Sequence, residues 1–516
     1  MLFWRVKPLD LILKTAEKKA LKRQLGAFQL TMLGIGAIIG TGIFVLTAEA
    51  AQKAGPGMML SFVIAGFVCA VAALCYAELA AMVPVSGSAY TYSYAVLGEF
   101  VAWLVGWALI LEYAVAASAV SVGWSGYLVG LLKNSFLHIE VPAALATGPY
   151  AGGVINLPAV FIGLLVTVLL IRGTKESAVV NAFLVTVKVL ALTAFIILAI
   201  PVMKDANFHP FAPLGNAGIV GAAASIFFAY VGFDAVSTAA EETKNPQRNI
   251  PIGLIASLIV CTIFYLLVAA GAIGSYGAQP VFAADGSPLS PGSMELAARC
   301  KELAAGENLP LVCSSEALAH VLRMIGHPMV GNLLGLAAFI ALPSVILMMI
   351  YGQTRIFFTM SRDGLLPPIL SKVHPRFNTP HVVTMMTGLG VMIAAAFLPV
   401  GKLADISNSG TLFAFLVVSL AVMMLRRSDP TRHRPFRTPL VWIIAPMSVI
   451  GCMVLFWYLP RDAKLVFPIW AGIGLFFYFI YGYRKSHMKP GNEPVDDAAP
   501  VLPAAPVFHE GPEPGP

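Results

Sequence analysis

The chain has 516 residues, 58% of them hydrophobic and 11% charged, with a formal net charge of +7. A soluble domain carries roughly 25% charged residues, so the composition excludes a soluble enzyme or regulator and indicates a polytopic membrane protein. The positive balance would suit nucleic acid only if the basic residues proved to be clear of a membrane surface.

The first 25 residues are charged and lack a hydrophobic centre followed by small residues, so no cleavable signal peptide is read there. Leu9, Ile12, Leu13, Ala16 and Ala20 form a helical stripe beside lysines. The stripe reads as a cytoplasmic amphipathic arm lying on the membrane, or as a simple solvated arm. Twelve apolar spans follow, each about long enough for the ~30 Å hydrocarbon core. They fall near 27–50, 59–82, 100–132, 154–171, 178–203, 217–240, 252–273, 330–360, 382–398, 406–425, 440–457 and 466–483. With the N-terminus inside, alternation leaves 23 of the 33 Lys and Arg residues on the inner side, 9 on the outer side and Lys188 within a span. That bias predicts both termini in the cytoplasm of a cell whose inner (plasma) membrane holds the protein. The basic clusters at 14–23, 355–376 and 426–437 then lie beside anionic lipid, which explains them better than nucleic acid does.

Two regions lie outside the spans. The polar loop 277–327 is expected outside the cell, where Cys300 and Cys313 are close enough in sequence to be bridged or to stay free. Cys69, Cys75, Cys261 and Cys452 fall in apolar spans and read as packing residues. The tail 490–516, rich in Pro, Ala, Gly and acids, cannot bury a core and is expected to be disordered. The histidines, including His209, His320 and His327 in outer loops, are scattered and read as surface residues. There is no metal-ligand spacing, phosphate-binding loop or nucleophile motif, so neither an enzyme nor a cofactor is expected.

The first span carries Gly34, Gly36, Gly40 and Gly42 near its middle. Glycines here either break the helix beside a solute cavity or let helices touch closely. The sixth span has Gly232 and Asp234 at mid-depth. Spans one and six are five apart and cross the membrane in opposite directions. Two breaks at matching places in oppositely oriented halves point to an inverted repeat with a site between them.

Four motifs make the reading specific. Ile35-Gly-Ala-Ile-Ile-Gly-Thr-Gly-Ile-Phe44 resembles the first-helix motif of amino acid permeases of the amino acid–polyamine–organocation superfamily. Tyr76-Ala-Glu-Leu-Ala-Ala-Met-Val-Pro-Val-Ser-Gly-Ser-Ala-Tyr-Thr-Tyr92 resembles the superfamily's signature between helices two and three. Phe228-Ala-Tyr-Val-Gly-Phe-Asp234, with Glu-Glu-Thr-Lys-Asn-Pro after it, is a third match. Tyr351-Gly-Gln-Thr-Arg-Ile-Phe-Phe-Thr-Met-Ser-Arg-Asp-Gly-Leu-Leu-Pro367 resembles the bacterial branch related to cationic amino acid transporters. The resemblance implies an all-α integral membrane protein with a five-plus-five inverted repeat, broken helices 1 and 6, and two extra C-terminal helices. The expected division is 1–26 arm, 27–203 first repeat, 204–427 second repeat with the external loop 277–328, 428–489 helices 11 and 12, and 490–516 tail.

The resemblance also implies secondary transport of amino acids. The backbone chemistry agrees. Free N–H groups near Gly40, Thr41 and Gly42 would face the gap at a positive helix end and suit a carboxylate. Free carbonyls near Ile38, and those of Phe228, Ala229 and Val231, would suit an ammonium. Lys188 lies about ten residues into span five, ~15 Å at the helical rise and so near the midplane. In related proton-coupled permeases a lysine in this part of helix five sits near the first break, where sodium-coupled relatives bind sodium. Lys188 either cycles a proton or is a permanent structural charge paired with Glu112 or with carbonyls. Glu112 either pairs with it, relays protons or solvates a cavity. Asp234 is expected to brace the sixth-helix break, and Glu78 reads as a helix-end residue. Ser118, Ser344 and Met348 are pocket candidates from depth alone. No acid is placed to receive a basic side chain, so neutral amino acids are expected with protons as the coupling ion. The alternatives are an amino acid or amine exchanger and a nutrient sensor on a permease fold, although a sensor would carry a cytoplasmic output domain.

Overall fold

The computed structural model describes residues 5–7, 25–83, 87–134, 138–173, 178–240, 243–304, 306, 308–377 and 379–488. The expected surface arm with its stripe at 9–20, the tail 490–516, and Glu241 and Glu242 of the third motif lie outside the described residues. Among the described residues the regular structure is helical, with two isolated β-bridges and no strand.

The main helices in chain order are α1 (Ala27–Ile38), α2 (Thr41–Phe44), α3 (Leu46–Ala54), α4 (Met58–Met82), α5 (Ser88–Val96) and α6 (Glu99–Asn134). They continue with α7 (Leu157–Arg172), α8 (Ala178–Ala199), α9 (Gly215–Ile226), α10 (Ala235–Thr238), α11 (Pro246–Tyr276) and α12 (Met294–Leu303). The last are α13 (Ala317–Met324), α14 (Pro328–Arg362), α15 (His381–Phe397), α16 (Val400–Ser428), α17 (Val441–Tyr458) and α18 (Arg461–Phe477). Eight helical segments are long and apolar enough to cross a bilayer, and four shorter apolar ones of 10–17 residues accompany them. Phe67, Phe161, Phe183, Leu190, Trp457 and Phe476 are exposed on their outer faces. Water would penalise so much exposed apolar surface and lipid does not, so the protein is an integral membrane protein.

The long helix α6 packs against both α14 and α16 at the centre, and α11 packs against α1 and α4. Helices α8, α17 and α18 bury the smallest shares of their apolar windows and lie at the periphery. Small residues set the close contacts. A β-carbon at Gly410 of α16 would lie 2.8 Å from the carbonyl oxygen of Ala108 on α6.

Three sequence expectations need revision or resolution. Glu78 is more than a helix-end residue. Its carboxylate is buried and takes two 2.8 Å hydrogen bonds from the Arg426 guanidinium and one from the Thr438 N–H at 2.8 Å, and it forms an ion pair with Arg434, whose Nε lies 3.2 Å away. It clamps the end of α4 to the end of α16, and its partners are too far away in sequence for any local pattern to show them. His320 is not a surface residue. It is half-buried edge-on to Tyr276, with Nε2 2.8 Å from the Leu309 carbonyl. Burial holds its imidazole pKa below the ordinary value. Cys300 and Cys313 are bonded, with Cα atoms 5.4 Å apart, while Cys69, Cys75, Cys261 and Cys452 are free and buried.

Candidate substrate and coupling site

The first apolar helix is broken. α1 stops at Ile38, Ile39 turns extended (φ −72, ψ 95), and Gly40 (φ −145, ψ −149) precedes α2. A second irregularity at Val45 separates α2 from α3. The N–H groups of Thr41, Gly42 and Ile43 begin a new helix and have no carbonyl behind them in helical register. The Thr41 hydroxyl at the same point is buried and has no hydrogen-bond partner among the described residues. It lies against α6, where a β-carbon at Gly123 would come within 2.9 Å of it.

The second break follows α9. A 3-10 turn, Phe227–Tyr230, leads to Val231 in extended conformation (φ −60, ψ 138) and Gly232 at φ +113. L side chains rarely adopt that φ, so glycine is required there. The Phe228 carbonyl is taken up by the Val231 N–H within the turn at 3.2 Å.

The two breaks meet reciprocally. A β-carbon at Gly42 would lie 2.3 Å from the Cα of Ala229, and one at Gly232 would lie 2.9 Å from the carbonyl oxygen of Ala37. Tyr265 of α11 ties them together. Its hydroxyl is 2.8 Å from the Ile38 carbonyl and 2.9 Å from that of Ala229, so one proton serves two acceptors. The carbonyls of Ile38 and Ala229, expected from the sequence to suit an ammonium, therefore converge on one point. Both meanings of the glycines apply. Gly40 marks the break, whereas Gly34 and Gly36 are packing positions against Ser257 of α11 and Val185 of α8.

Lys188 of α8 is 1% exposed, and its Nζ donates to the Gly36 carbonyl at 2.8 Å, one turn before the break. Of the pairings open to it from sequence, the carbonyl contact is present, and Glu112 makes no hydrogen bond to it. Glu112 lies instead with its carboxylate beside Thr411 and within electrostatic range of Asp234. Among the described residues neither of its oxygens takes a well-formed hydrogen bond. Asp234 accepts from the Tyr113 hydroxyl at 2.7 Å, and its own carbonyl accepts from Ser237 at 2.6 Å. These bonds tie Asp234, just after Gly232, to α6 and to α10.

The depth-only candidates do not join this group through hydrogen bonds. Ser118 bonds to the carbonyls of Ala114 and Val391, and Ser344 to that of Ala341. The residues that sequence reasoning missed are Tyr265, Tyr113 and the Thr41 side chain. One signal was available, since a tyrosine hydroxyl deep in an apolar span needs a partner.

An amino acid permease family model matches residues 25–479. The chain is 44% identical over 482 residues to the branched-chain amino acid permease of Bacillus subtilis (strain 168), covering 93% of this chain and 97% of that one. It is 43% identical over 484 residues to the methylthioribose transporter of the same organism, covering 94% and 98%. It is 32% identical over 504 residues to the chloroplastic cationic amino acid transporter 9 of Arabidopsis thaliana, covering 95% and 83%. These matches describe transporters and not enzymes, and they run through both helix breaks, so the chain belongs to the amino acid permease family.

Proposed function

We propose that the protein is a proton-coupled symporter of neutral amino acids, with the zwitterion held between the breaks after α1 and α9. The observation that carries this reading is the Lys188 ammonium on the Gly36 carbonyl, at the edge of a helix break. An ammonium at that point does a cation's electrostatic work and can lose its proton when buried. Support for the zwitterion comes from the free N–H groups and unpartnered hydroxyl at Thr41, which suit a carboxylate, and from the converging carbonyls of Ile38 and Ala229, which suit an ammonium.

The proposal includes five-plus-five inverted repeats at 27–203 and 204–427, helices 11 and 12 at 428–489, and both termini in the cytoplasm. The paired breaks and the 23-to-9 basic bias support it. The branched-chain name of one relative favours neutral substrates. A second reading, uptake of a thiosugar, is favoured by a relative of nearly equal identity named for methylthioribose.

Purified protein in liposomes with an imposed inward proton gradient tests the assignment. Concentrative uptake of labelled leucine, isoleucine or valine, independent of sodium, is the expected result. Uptake of methylthioribose alone would replace the substrate assignment. Exchange without net accumulation would replace symport.

A further inference from the structure

A cavity of about 360 Å³ lies above the first break, within the size range of small-molecule sites. Its lining includes Val45, one helical turn beyond Thr41, and Val122 of α6, next to the Gly123 that abuts Thr41. Its other wall is α12, with Leu296, Ala297 and Cys300, and the segment joined to it by the disulfide at Cys313. The staple therefore fixes two parts of the roof to each other.

One carboxylate, Glu49 of α3, lines this cavity. It is half-buried, it makes no hydrogen bond among the described residues, and its one cationic neighbour within electrostatic range is Lys53. The neighbouring cations form their ion pairs with other carboxylates. Lys53, one turn on, bonds Asp405 at 3.1 Å and also Ser225. Lys402, at the rim, bonds Asp462 at 3.3 Å and lies 4.1 Å from the centre of the Tyr150 ring. The Glu49 carboxylate also packs against Gly401 in the first turn of α16, where a β-carbon would lie 2.6 Å from it. Among the described residues the cavity thus holds one carboxylate with no hydrogen bond of its own, apolar walls, an aromatic face and a floor one turn from the candidate site.

We propose that this cavity is an outer recognition site for the ammonium group of the incoming substrate, with Glu49 as its anionic contact. The site takes small primary amines with an apolar side chain and passes them inward past Val45. The proposal rests on the transport reading for its direction, but binding to the cavity is measurable without transport.

The test uses the purified full chain carrying Tyr150→Trp as a reporter in the cavity wall, titrated with n-butylamine and with N-acetyl-leucine. A saturable fluorescence change with the amine, absent with the acetylated compound and weakened about fivefold or more by Glu49→Gln, is expected. An equal response in the Gln variant, or no saturable response in the unsubstituted cavity, overturns the proposal whether or not the protein transports. In right-side-out vesicles, Glu49→Gln and the cavity-filling Ala297→Trp should raise the external KM for uptake with little change in Vmax and leave the KM for efflux unchanged. A native protein that binds amine but takes up no amino acid would sink the transport reading and leave the outer site standing.

Discussion

The Lys188 ammonium donates to the Gly36 carbonyl at 2.8 Å and so joins α8 to the last turn of α1 before its break. If that contact forms and dissolves as the lysine gains and loses a proton, helix geometry at the substrate site follows the proton. Lys188→Ala should abolish accumulation driven by a pH gradient while leaving some substrate binding. Lys188→Arg keeps a donor for the Gly36 carbonyl but can hardly release a proton. It should therefore be no better than Ala in concentrative uptake. Liposomes with an imposed pH gradient, with and without sodium, decide the matter. Strong accumulation by the Arg variant would make Lys188 a structural charge, and strict sodium dependence of the native protein would remove it from coupling.

The glycines of the first break divide by what a methyl group would meet. At Gly42 it would sit 2.3 Å from the Ala229 Cα and 2.5 Å from its Cβ, so the two breaks would have to separate. At Gly40 the nearest atoms are Val345 methyls at 3.5 Å, an ordinary contact. Gly42→Ala should lower substrate affinity by about tenfold or more, a shift of about 1.4 kcal/mol, in a protein that still inserts. Gly40→Ala should be much milder. Binding measured on both purified variants checks this, and equal effects would mean that the Gly42–Ala229 contact does not shape the site.

Much of this arrangement was legible because membrane chains write depth and periodicity plainly. The glycine run left a break or close packing open, the family resemblance implied a break in the first helix, and the helix breaks before Gly40. Lys188, ten residues into its span, faces the turn before it. What stayed hidden depends on rotation about helix axes, which depth does not fix. Tyr265 sits in an otherwise ordinary apolar span, and only the packed bundle shows its hydroxyl between Ile38 and Ala229. Ser118 and Ser344 lie at suitable depth yet bond to carbonyls on their own helices or on α15. The Glu78 clamp was illegible for another reason. Its guanidinium partners lie about 350 residues downstream, and no local pattern links them.

The orientation is open to labelling. Ser287 and Lys372 are both exposed, the first in the loop expected outside and the second in one expected inside. In intact cells, a membrane-impermeant maleimide should modify Ser287→Cys and spare Lys372→Cys until the membrane is opened. The four native free cysteines are buried and should contribute little background. The reverse pattern would invert the direction assigned to every half-helix.

Tyr265 gives a sharper test of where the substrate ammonium sits. Its single hydroxyl proton serves the carbonyls of Ile38 and Ala229 at 2.8 and 2.9 Å. Tyr265→Phe leaves both carbonyls buried without that donor, which costs about 1–3 kcal/mol. The ligand-free variant should therefore unfold at a lower temperature than the native protein. An ammonium has three N–H donors and would supply those carbonyls directly. Saturating leucine should then restore stability in Tyr265→Phe by more than it adds to the native protein, because it replaces a missing bond as well as forming its own. Thermal unfolding of both proteins, with and without leucine, reads the difference. If leucine stabilises the variant no more than the native protein, the ammonium is held elsewhere, and the convergence of Ile38 and Ala229 on Tyr265 serves only to lock the two breaks together.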